Sequence, residues 1–186
     1  MLNEVYREIA RCLDEGVPVA VATVASIIAA ELEMKDAEEA SIAGLLHDLG
    51  KVVLRAHMPE DNEEITRLVE EDGYRVREAE QAVLGFDHSH IGQWLAESWK
   101  LPENLIDPIR WHHQPEGARN APEVTAVVHL ADHLTRAYGL GDGADDWVPE
   151  LSRAAMQRLG LGRRQLENIV DGLCERLVGV DGQFEA

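Results

Sequence analysis

Cysteine, positive charge and long apolar runs are all scarce in this chain, and each scarcity excludes something. There are 2 cysteines in 186 residues, Cys12 and Cys174, far apart and without paired spacing. They read as small core residues rather than a disulfide or a metal clip, which fits a reducing cytoplasm. Lys and Arg number 17 against 35 Asp and Glu, for a formal net charge of -18. Such a surface repels nucleic-acid phosphates and anionic lipid, and the isolated pair Arg163-Arg164 does not offset it. Neither a nucleic acid nor a membrane is expected as a partner. No apolar run reaches the ~20 residues that span a bilayer. The longest, Val17 to Ala30, is interrupted by Pro18, Thr23 and Ser26. Met1 to Arg11 carries Glu4 and Glu8 and lacks an apolar signal core, which argues against export.

What is present is helical periodicity. The chain is 45% hydrophobic and 28% charged, a globular balance, and its length suits one domain over residues 1–186. Apolar spacing of three and four predicts amphipathic helices over Leu2–Leu13, Pro18–Leu32, Pro59–Val69, Val76–Leu84, His88–Trp99, Pro102–His112, Pro122–Tyr138, Leu151–Leu159 and Arg163–Leu177. Asp36, with Glu39 three residues on, reads as the capping box of a further helix that continues through Leu49 to Val53. Gly139 to Asp146 is a loop. The fold class is all-α, a bundle of roughly eight to ten helices. Leu45, Leu46, Leu49, Val53, Ile91, Leu95, Ile109, Val128 and Leu134 are its expected core.

The chemistry lies in polar residues set inside those apolar patterns. His47-Asp48 interrupts Ala43-Gly44-Leu45-Leu46 and Leu49-Gly50-Lys51. Burial of both groups is costly unless a hydrogen bond or a shared cation satisfies them. Three more clusters follow: Asp87-His88-Ser89-His90; Arg110-Trp111-His112-His113; and His129, Asp132 and His133 on one side of a helix. Of 8 histidines, six fall in these three short clusters. Each alone also reads as a solvated helix end or a satisfied core histidine. Together with His47 and Asp48, however, four separated helices offer nitrogen or oxygen ligands.

The segment Gly44 to Lys51 resembles the signature of the HD superfamily of metal-dependent phosphohydrolases. The closer resemblance is to HDOD, the HD-related output domains of bacterial signalling. It rests on His47-Asp48, Glu80, Gly85-Phe86-Asp87-His88, Trp99-Lys100-Leu101-Pro102, His112-His113 and Leu130-Ala131-Asp132, in that order, over roughly residues 15–175. The resemblance implies a signal-transduction or regulatory module with a partial metal site. His47, Asp48 and Asp132 would form one position, while Asp48, His88 and one of His112 or His113 would form a second. The ion would be a divalent cation such as Mn, Fe, Ni, Zn or Mg. His129 and His133 would be supporting or core groups. The resemblance implies a regulatory protein partner or a small phosphorylated ligand, and homo-oligomers are compatible with it.

Three departures bear on activity. The family's preceding helical region has no counterpart here. The histidine that catalytic HD proteins carry about 30 residues upstream is also missing, since Gly16 to Thr23 contains none. Gln114 stands where HD-GYP phosphodiesterases have Glu, and Pro115-Glu116-Gly117 replaces their Gly-Tyr-Pro continuation. The resemblance therefore implies cation binding without efficient catalysis. Two other readings remain: a working phosphohydrolase acting on a nucleotide or cyclic dinucleotide, with Asp48 and Lys51 in catalysis and Arg110 as a further phosphate contact, or a purely structural helical domain.

Overall fold

The computed structural model describes residues 17–140, 148 and 150–181, with side chains from 174 onward outside that description. The expected helix Leu2–Leu13, Cys12, the side chain of Cys174 and most of the Gly139–Asp146 loop lie outside the described residues. Among those described, every regular element is helical. None is long and apolar enough to cross a membrane.

The order is α1 (Val17–Glu31), α2 (Ala37–Leu46), α3 (Leu49–His57), α4 (Pro59–Glu70), α5 (Val76–Leu84), α6 (His88–Ser98) and α7 (Glu103–Trp111). A 3-10 turn (Pro115–Gly117) precedes α8 (Pro122–Ala137), α9 (Arg153–Leu159) and α10 (Arg163–Asp181). Pro59 and Pro122 open their helices, where the missing N–H has no intrahelical partner to lose. Gly85 ends α5 at φ 81°. That left-handed turn is one that a side chain would oppose.

Two expectations are corrected at α2. Asp36 stands at its N-cap but makes no side-chain capping bond. Its ψ of 37° departs from the extended backbone that aims a capping oxygen at the first-turn amides. The expected continuous helix through Val53 is instead broken at His47 and Asp48. Asp48 lies at φ -97° and ψ 17°, outside the helical well, and its carbonyl accepts the N–H of Lys51. The break shifts the buried face of α3, so Val52 and Leu54 turn inward and Val53 only partly.

The larger core joins α1, α2, α8, α9 and α10 through Val21, Val24, Ile28, Val127, Leu130 and Ile169. A smaller one, Ala96, Ile106 and Ile109, holds α6 to α7 and takes Leu46 against it. Of the expected core, Leu49, Ile91, Ile109 and Val128 are buried, whereas Leu45, Leu46, Val53, Leu95 and Leu134 are half-buried. The innermost places around the break go to Ala43, Gly44 and His47. Helix α3 reaches α6 backbone to backbone: a Cβ on Gly50 would stand 1.8 Å from the His88 carbonyl oxygen and 2.9 Å from the Gly92 nitrogen.

Asp107, buried in α7, fixes the start of α8. Its Oδ2 accepts the backbone N–H groups of Arg119 at 2.8 Å, of Asn120, and of Ala121 at 2.8 Å. Hydrogen bonds to a charged acceptor contribute ~1.5–3 kcal/mol each, and buried donors left unpaired are expensive. Asp107→Ala should therefore lower the unfolding free energy by ~3 kcal/mol, read as a drop in urea midpoint at unchanged m-value. An unchanged midpoint would show that the three amides find other acceptors.

Candidate metal centre

His47 and Asp48 leave the break between α2 and α3, His88 opens α6, His112 and His113 follow α7, and Asp132 comes from the middle of α8. The structure brings all six together. Ligand atoms of Asp48, His88, His112 and His113 lie within 4.8 Å of one another. On the other side of Asp48, His47 Nε2 stands 3.4 Å from Asp48 Oδ2 and 3.7 Å from Asp132 Oδ1.

Three of the imidazoles, those of His47, His88 and His112, are set by what their other nitrogen holds. His47 Nδ1–H donates to the Gly44 carbonyl at 2.7 Å, and His112 Nδ1–H donates to the Ile109 carbonyl at 3.0 Å. His88 Nδ1–H donates to the Glu80 carboxylate at 2.7 Å, and Glu80 also accepts the His88 backbone N–H at 2.9 Å. Carbonyls only accept, so the protons of His47 and His112 lie on Nδ1, and their Nε2 atoms carry lone pairs when neutral. The Glu80 carboxylate sets His88 the same way. Backbone and carboxylate partners of this kind hold histidine ligands in their binding tautomer.

The lone pairs face one another and a carboxylate. Asp48 Oδ1 lies 3.2 Å from His88 Nε2 and 3.6 Å from His112 Nε2. His113 Nε2 lies 3.0 Å from His88 Nε2. His47 Nε2, Asp48 Oδ1 and His112 Nε2 are buried without a hydrogen-bond partner. Bare acceptors converging on bare acceptors repel unless a proton or a cation lies between them. A divalent cation fits this donor set, three imidazole nitrogens and one carboxylate oxygen.

The electrostatics agree. Burial alone would depress the His88 pKa, but the Glu80 and Asp48 carboxylates outweigh it and lift it to about 9. Burial pushes His112 down to about 4, and burial beside His112 and His88 holds His113 well below the usual imidazole range. For Asp48, burial opposes ionisation, yet His47 and Lys51 hold its carboxyl well below the usual carboxylate range. Burial opposes the charged form of His47, but Asp48 and Asp132 outweigh it and raise its pKa. Protonation is thus favoured at His88 and His47, while His112 and His113 keep neutral lone pairs.

The outlying residues separate by role. Lys51 Nζ donates to Asp48 Oδ2 at 2.7 Å, so its ammonium meets a carboxylate of the centre. Arg110 donates to Ser89 Oγ at 3.1 Å and to His90 Nε2 at 2.8 Å, and stacks over Trp111. His129 joins the His112 carbonyl, at 2.7 Å from its Nδ1–H, to the Ser152 N–H, at 3.0 Å from its Nε2. Arg136 is not singled out by the sequence pattern. Its Nε donates to Asp132 Oδ1 at 2.9 Å, and the signal for it was the four-residue helical spacing.

The HDOD domain profile matches residues 17–115, more than half of the chain. An uncharacterized protein of Treponema pallidum (strain Nichols) is 36% identical over 96 residues, 51% of this chain and 19% of that protein. Ribonuclease Y of Aquifex aeolicus (strain VF5) is 35% identical over 117 residues, 63% of this chain and 16% of the enzyme. The chain therefore spans less than a fifth of the length of either relative. Among solved structures, an HDOD domain protein of unknown function from Geobacter sulfurreducens superposes with a TM-score of 0.75 at 25% identity, covering 89% of this chain and 59% of that one. Motif order, helical architecture and profile agree: the chain belongs to the HDOD family.

Proposed function

We propose that this chain is an HDOD regulatory module whose Asp48, His88, His112 and His113 hold a divalent cation without efficient hydrolysis. The observation that carries the reading is the set of preset imidazole lone pairs converging on a partnerless carboxylate oxygen. A cation there would supply Lewis acidity and neutralise phosphate charge. The chain's own residues favour binding over turnover. Helix α1 offers no imidazole, and it packs closely on α2, with the Ala22 backbone 3.0 Å from where a Gly44 Cβ would stand. Lys51 is already committed to Asp48. The partner on this reading is a regulatory protein or a small phosphorylated ligand.

Phosphodiester hydrolysis is the second reading, favoured by the likeness to a ribonuclease over 117 residues. The test is elemental analysis of chain purified without chelator or a histidine tag, followed by Mn²⁺ titration and turnover of RNA and cyclic dinucleotides. A retained or titratable cation with background turnover is the expected result. Affinity should rise as the pH approaches 9, because the ion displaces the proton that His88 otherwise keeps. Cation-dependent turnover at enzymatic rates would replace this reading with the second, and no cation at saturation would reject both.

A further inference from the structure

The two oxygens of Asp48 face different environments. Oδ1 points to the imidazoles of His88 and His112 and has no hydrogen-bond partner. Oδ2 accepts from Lys51 at 2.7 Å and lies 3.4 Å from His47 Nε2. Beyond His47 stands Asp132, 2% exposed, and Arg136 donates to its Oδ1 at 2.9 Å. That Oδ1 is the oxygen turned toward His47. On this side, then, two carboxylates and an imidazole nitrogen meet, which is itself a donor set for a cation. Both carboxylates already carry a protein cation. The ion pairs are mostly shielded from water, with side-chain exposures of 18% and 12% for Lys51 and Asp48 and of 13% and 3% for Arg136 and Asp132. On the Oδ1 side the facing atoms Asp48 Oδ1 and His112 Nε2 are buried without a hydrogen-bond partner.

We infer that Lys51 and Arg136 stand in for a second cation, so that the centre takes one ion beside Asp48 Oδ1 while the His47–Asp48–Asp132 side is a latent second site kept shut by Arg136. The inference rests on the cation reading proposed above and adds its stoichiometry. The argument is one of charge. A dication entering beside His47 would meet two protein cations at close range, in surroundings that screen poorly. It would also have to take a carboxylate oxygen from each. Removing the Arg136 guanidinium reverses this balance, because it leaves the buried Asp132 with only the His47 imidazole beside it, and a buried carboxylate short of positive charge favours a cation that can reach it. Helix α1 supplies no side chain for that role, since it contains no Lys, Arg or His.

The test is Mn²⁺ stoichiometry of the full chain, counted by equilibrium titration against the electron paramagnetic resonance signal of free Mn²⁺. Wild type should bind one ion per chain. Arg136→Gln should bind two, the second lost again in Arg136→Gln with Asp132→Asn. Lys51→Met, at a more exposed position, should likewise raise the count and keeps the test decisive if Arg136→Gln folds poorly. Two ions in wild type, or one ion in wild type and in both single variants, overturns the inference while leaving the cation reading intact. No ion in wild type overturns both.

Discussion

Asp48→Ala is expected to lose cation binding altogether, with affinity down by more than ~100-fold, since even partners that only orient a ligand are worth ~10–100-fold. Asp48 is the one anionic group in the cluster of four donors, and its Oδ1 faces both His88 and His112. Without it, three imidazoles remain to hold the ion, while the Lys51 ammonium loses its carboxylate. Competition against a chromophoric chelator gives the affinity, and far-ultraviolet circular dichroism checks that the helices persist. Asp132→Asn is the informative contrast, because Asp132 lies beside His47 and outside that cluster. It should retain the ion. Wild-type affinity in Asp48→Ala, or equal loss in both variants, would place the ion elsewhere.

Gly50→Ala is expected to damage both the fold and the centre. The added carbon would stand 1.8 Å from one backbone atom and under 3 Å from two more, and no side chain can rotate away to admit it. Helix α3 would have to retreat from α6, and Asp48 with it from His88. Overpacking costs about 1–3 kcal/mol and occasionally more, and this contact belongs at the upper end. At ~2–4 °C per kcal/mol for a chain of this size, the melting temperature should fall by roughly 6–12 °C. Gly162→Ala is the control. A Cβ there would meet only Gln165 Oε1 at 3.7 Å and should leave melting unchanged. Equal melting of Gly50→Ala and wild type would mean that the two helices are not held at this distance.

Much of the helical architecture was legible because amphipathic periodicity is a local property. Val76–Leu84 was read with its boundaries as found, and Pro59–Glu70 to within a residue. The break at His47 and Asp48 was not, since Leu46, Leu49 and Val53 keep a helical spacing across it. The departure is set by what the two polar side chains face once other helices arrive. The Gly50–Gly92 approach escaped for a related reason. A glycine inside a helical pattern lowers propensity wherever it falls, and only the neighbouring backbone shows that a side chain is forbidden. The histidines and acids of the centre stood out against apolar surroundings, but their grouping came from resemblance rather than spacing. Arg136 was overlooked because a helical Asp-to-Arg spacing of four is ordinary on any surface; the burial of Asp132 is what gives it meaning here.

The contact of Gly50 with His88 and Gly92 has a consequence for the energetics of loading. Backbone touching backbone sets the distance between α3 and α6, so the spacing of Asp48 from His88 does not depend on what lies between them. The socket is finished before anything enters it. On the proposed cation reading, an ion arriving there would find the described helices already in place, and its binding free energy would not be spent on gathering them, as it is in domains that collapse only around their metal. On that reading the exchange would reduce to an ion displacing a proton within fixed walls. Loaded and empty forms should then share one helical arrangement, and any signal passed on by loading must travel as a change of charge at the surface of the centre rather than as a movement of the bundle.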